Sequence, residues 1–75
     1  MENTKYFIST ITEMREVIKW LKTLNIINST GFFRYFNIKV NVITPKGKRV
    51  LIDFYFNNKQ YYSTFKRSLR KLEKS

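Results

Sequence analysis

Apolar residues first recur at three- and four-residue intervals: Ile11, Met14, Val17, Ile18, Leu21 and Leu24. That spacing lines one face of an α-helix. Thr10, followed three residues later by Glu13, reads as a capping box. Its hydroxyl takes an orphan backbone N–H and the Glu reaches back. The pattern predicts a helix over 11–25, with Asn25, Asn28, Ser29, Thr30 and Gly31 as its end and the following loop. Trp20 falls off the apolar stripe and is expected to be partly exposed, either as an interface anchor or packed on residues 5–8. Ahead of the helix, residues 5–9 form a short apolar stretch, read as an edge strand or an arm lying on the core.

From Phe32 the period changes to two. Phe32, Phe36, Ile38, Val40 and Val42 share one parity, and so do Val50, Ile52, Phe54 and Phe56. Between them Thr44-Pro45-Lys46-Gly47-Lys48 is a turn, with Pro preset for the second position and Gly able to take a positive φ. Folding the hairpin on this turn sets Val42 against Val50, Val40 against Ile52, Ile38 against Phe54 and Phe36 against Phe56. Every inward pair is apolar, which fixes the register. On the other face the same register sets Lys39 opposite Asp53. After Asn57-Asn58, Tyr62, Phe65, Leu69 and Leu72 return to helical spacing and predict a helix over 60–73.

The predicted fold class is α+β: one small domain over 1–75, in the order (β)-α-β-β-α, its antiparallel hairpin covered by two amphipathic helices. A chain this short buries a modest core. Seven Phe, five Tyr and Trp20 offset this, each bringing a large buried area.

Charge changes the picture most. The 75 residues hold 15 Lys and Arg against 5 Asp and Glu, a net charge of +10. Residues 1–30 carry four bases and three acids, whereas residues 31–75 carry eleven bases and two acids. Such self-repulsion is offset by a polyanionic partner, which points to nucleic acid, with DNA favoured over RNA. Catalysis is not expected. With no His, no Cys and scattered carboxylates, there is no evident general base, nucleophile, metal-ligand set or cofactor motif. Gly31 and Gly47 alone build neither a P-loop nor a dinucleotide fingerprint. No apolar run approaches the roughly 18–20 residues that span a bilayer, and no secretion signal is read at the N-terminus. A cytoplasmic protein without a membrane partner is therefore expected. Lys, Asn, Ile, Phe and Tyr supply 37 residues, all with AT-rich codons, which suits a phage or mobile-element source.

Three groups of residues are candidates for binding. Lys46, Lys48 and Arg49 cluster at the hairpin tip, where they can reach phosphates; the plainer alternative is a solvated turn. Lys66, Arg67, Arg70, Lys71 and Lys74 occupy the outer faces of the last helix. Pairs such as Lys66 with Arg70 and Arg67 with Lys71 repel at i,i+4, so stability alone does not explain them. Phe33, Tyr35 and Tyr55, with Lys39 nearby, fall on the outer parity of the strands, where aromatics stack single-stranded nucleic acid; helix one or the N-terminal arm covering that face is the alternative. Phe32, Phe36, Phe54, Phe56, Tyr62 and Phe65 are expected in the core. The function expected is a small nucleic-acid-binding accessory or regulatory protein acting by phosphate neutralisation. The rival is a phage-type protein inhibitor or adaptor, for example of a CRISPR nuclease, docking on an acidic host surface with Trp20, Tyr35 and Tyr55 as anchors.

Overall fold

The computed structural model describes residues 2–32 and 36–74, with Glu2 described in its backbone alone. In chain order these form β1 (Glu2–Ile8), α1 (Ile11–Leu21), β2 (Asn25–Phe32), β3 (Asn37–Ile43), β4 (Arg49–Phe56) and α2 (Lys59–Lys74). The strands make one mixed sheet in the order β1-β4-β3-β2. β2, β3 and β4 are successive antiparallel neighbours, and β1 lies parallel to β4 at the far edge. α1 therefore carries the chain from one edge of the sheet to the other, across its two central strands.

The hairpin register expected from parity is the one observed. Val42 pairs with Val50, Val40 with Ile52, Ile38 with Phe54, and Lys39 with Asp53. The ladder stops at Asn37 opposite Tyr55, so the expected pairing of Phe36 with Phe56 falls outside it: Phe36 precedes β3 with φ of 46°, and its carbonyl accepts from the Phe56 N–H at 3.0 Å. The loop at the tip closes with Gly47 N–H to Thr44 O at 2.8 Å and Thr44 N–H to Lys48 O at 2.9 Å. Gly47, at φ 79°, supplies the left-handed residue that ends such a three-residue loop.

Both helices cover the same sheet face. Met14 and Leu21 from α1, and Tyr62, Phe65 and Leu69 from α2, pack on Ile8, Ile38, Val40, Val42, Ile52, Phe54 and Phe56. Aromatic rings link the layers, with Phe65 5.0 Å from Phe54 and 5.1 Å from Phe56, and Tyr62 5.8 Å from Phe56. Such pairs add about 0.5–1.5 kcal/mol each beyond the area they bury. α2 approaches β2 closely at Gly31, where a Cβ would stand 2.6 Å from the Tyr62 hydroxyl oxygen.

Three expectations are corrected. First, Asn25–Phe32 is a strand, not a loop. Its Asn, Ser, Thr and Gly residues read as turn chemistry, but pairing with β3 holds them extended. Second, α1 ends at Leu21 rather than residue 25. The Thr23 hydroxyl and N–H both donate to Trp20 O, at 2.6 and 3.0 Å, and tighten the chain into a turn. Leu24 still meets the core, so the apolar spacing outlasts the helix. Third, Phe32 is not in the core: it ends β2, a different strand from Phe36, and is 46% exposed on the opposite face. The capping box at Thr10 and Glu13 forms as expected. Glu13 N–H donates to Thr10 Oγ1 at 3.2 Å, while the Glu13 carboxylate accepts from the Thr10 and Ser9 hydroxyls. Residues 5–8 belong to an edge strand, as one of the two readings had it, and α2 runs one residue further at each end than expected.

Candidate nucleic-acid interface

α2 presents its bases according to its helical pitch. Tyr62, Phe65 and Leu69 are buried, and Leu72 is partly so. Arg67, Arg70, Lys71 and Lys74 are all exposed. With 3.6 residues per turn these four fall within an arc of about 100° opposite the buried side. Glu73, the sole acid of the helix, turns instead toward a crevice it lines with Lys22 and Asn25. No acid therefore interrupts the outer arc. Lys66 stands apart: it is half-buried at the helix flank, its Nζ 5.8 Å from the Tyr62 ring centroid. Lys71 and Lys74 lie in the last turn, where the helix dipole favours cations. Arg67 and Arg70 lie before that turn, and each has a base four residues on. Their placement costs a few tenths of a kcal/mol per pair.

The hairpin tip lies at the C-terminal end of this arc. Leu72 and Glu73 share their crevice with Asn25, which pairs with Ile43, the last residue before the tip. Lys46 and Lys48 are exposed on the loop, and exposed Lys22 at the end of α1 joins the same pole. Arg49 is also exposed but opens β4 on the other sheet face, in the parity of Leu51, Asp53 and Tyr55. The candidate bases are thus divided: one basic pole and arc on the helical side, and Arg49 on the sheet side.

The remaining candidates separate further. Tyr55 is half-buried on the outer sheet face. Phe33 and Tyr35 lie outside the described residues. Trp20 is 42% exposed on the helical side, its ring 6.3 Å from that of Tyr6, so it packs on β1. Helix one does not cover the outer sheet face, and β1 joins that sheet as a strand rather than lying across it. Phe7 and Lys5 on β1, and Phe32 on β2, therefore join the outer face. Sequence reasoning placed Phe32 in the core and passed over Phe7 and Lys5, although these two share a parity opposite to that of Ile8. Asp53 is only 7% exposed there, between Lys5 and Lys39 in the ladder, and its Oδ1 has no hydrogen-bond partner among the described residues. Asn37, also buried, donates from Nδ2 to Phe54 O at 3.0 Å.

Among the described residues, no helix is long and apolar enough to cross a membrane. No protein-family model, no curated protein and no solved structure matches the chain.

Proposed function

We propose that the protein binds nucleic acid, DNA ahead of RNA, as a non-enzymatic accessory or regulatory factor in the cytoplasm, encoded by a phage or mobile element. Phosphates are neutralised along the α2 arc and at the hairpin tip, releasing counterions. One observation carries this reading: Arg67, Arg70, Lys71 and Lys74 share an exposed arc free of acids, against the repulsion between them. A solvated helix face selected for stability alone would interleave Glu. The test is a titration with single- and double-stranded DNA and RNA of random sequence at several salt concentrations. Binding should weaken steeply and linearly in log[salt]. Absence of binding near about 50 mM salt, or a flat response, would reject the reading.

A second reading, a protein inhibitor or adaptor, is favoured by Trp20. Its ring is 42% exposed beside Tyr6, in a shallow groove that includes Glu13 and Glu16. A half-exposed Trp over an aromatic neighbour is a common interface anchor.

A further inference from the structure

The sheet has a second face. Both helices of the described residues pack on the side of Ile38, Val40, Ile52 and Phe54, so neither covers the other side. Across it the ladder sets Phe7, Tyr55, Asn37 and Phe32 in one row. Phe7 is 60% exposed and Phe32 46%, with Tyr55 half-buried between them. The next row holds Lys5, Asp53, Lys39 and Thr30. Strands lie about 4.8 Å apart, so the aromatic row spans roughly 14 Å, and rows two residues apart are separated by about 7 Å. Rings thus lie one row from ammonium groups. Arg49 lies further down the same face.

We propose that this second face binds single-stranded nucleic acid, with bases stacked on Phe7, Tyr55 and Phe32 and phosphates met by Lys5, Lys39 and Arg49. The inference rests on the nucleic-acid reading and adds to it a strand state and a second surface. Charge selects the occupant. A second copy of this chain brings its own +10, and its bases would oppose these. A single strand offers flat bases and anionic phosphates in alternation, which matches a row of rings beside a row of amines. A duplex keeps its base faces stacked inside and has none to offer. Asp53, the one acid on this face among the described residues, is buried between Lys5 and Lys39 and does not confront the phosphates. In the free protein the Lys39 Nζ sits 5.3 Å from the Phe32 ring centroid. A base arriving on Phe32 takes that place, and the ammonium moves to the adjoining phosphate.

The test uses the full chain and two probes, a labelled oligothymidylate and a random-sequence duplex. The variant Phe7→Ala with Phe32→Ala removes two exposed rings and leaves the half-buried Tyr55 in place. A second variant, Phe7→Leu with Phe32→Leu, keeps apolar bulk without the flat π face, and circular dichroism melts check that both fold. Each lost stack should cost about 5- to 150-fold in single-strand affinity. Duplex affinity should stay level, and so should the salt slope, because no charge is removed. Parent-like single-strand binding by both variants would overturn the inference while duplex binding upholds the wider reading. Equal losses on both probes would also overturn it. So would a parent dimer that the Ala variant dissolves in sedimentation, since a second copy would then cover the face. If neither probe binds the parent at low salt, both readings fall.

Discussion

Replacing Gly31 by Ala tests how the basic helix is seated on the sheet. Gly31 lies in β2 opposite Ile38, on the face that α2 covers. A Cβ there meets the Tyr62 Oη at 2.6 Å, and the next atom, Tyr62 Cζ, at 3.6 Å. The ring has little room to retreat. Tyr62 is buried, with the Phe36 and Phe56 rings at 5.7 and 5.8 Å. Overpacking of this kind costs about 1–3 kcal/mol. The backbone of Gly31 is not in the left-handed region, so Ala also restricts the unfolded chain and returns about 0.4–1 kcal/mol. The net loss is about 0.5–2 kcal/mol, a fall in Tm of several degrees for a domain of this size. In a Tyr62→Phe background the nearest obstacle is gone and the sign reverses: Gly31→Ala should stabilise by about 0.4–1 kcal/mol. Urea unfolding followed by far-UV circular dichroism gives all four corners of the cycle, with an expected coupling of about 1–3 kcal/mol. An equal effect of Gly31→Ala in both backgrounds would refute the contact, and stabilisation in the parent would refute the tight approach itself.

Two further outcomes follow. Thr10→Ala removes the acceptor for Glu13 N–H and a donor to the Glu13 carboxylate, and should cost about 1 kcal/mol in the same unfolding assay. Trp20→Ala leaves the basic arc untouched, so nucleic-acid affinity should stay level by fluorescence anisotropy; loss of a protein partner in that variant would favour the inhibitor reading.

How much was legible follows from where each strand sits. β3 and β4 are central, and their inward positions are apolar on both sides, so period two fixed their register and placed Lys39 against Asp53. β2 is an edge strand whose ladder shifts between Ile26 and Asn28, leaving Ile27 exposed. That irregularity breaks the alternation, and the Asn, Ser and Gly residues around it spoke for a loop. The parallel pairing of β1 with β4 leaves no local trace, because it is made across the whole of α1. The outer face was legible through Tyr55 and Lys39, but its edges were not: Phe7 and Phe32 align with Tyr55 only once β1 is paired with β4 and β2 is in place as a strand. Helical pitch alone sorts Arg67, Arg70, Lys71 and Lys74 from Tyr62, Phe65 and Leu69, but Lys66, grouped with these bases in the sequence, lies half-buried at the flank against Tyr62.

Under the proposed function the α2 arc neutralises phosphates. Its most direct test is log Kd against log[salt] for one DNA duplex, measured with the parent and with Arg67→Gln, Arg70→Gln and Lys71→Gln combined. Five to seven phosphate contacts give the parent a slope in log K of about −4.5 to −6. The variant should bind more weakly, with a slope shallower by about one per lost contact, while its stability stays level or rises by a few tenths of a kcal/mol as the Arg67–Lys71 repulsion is relieved. Superimposable lines for the two proteins would contradict the claim and leave α2 a solvated face.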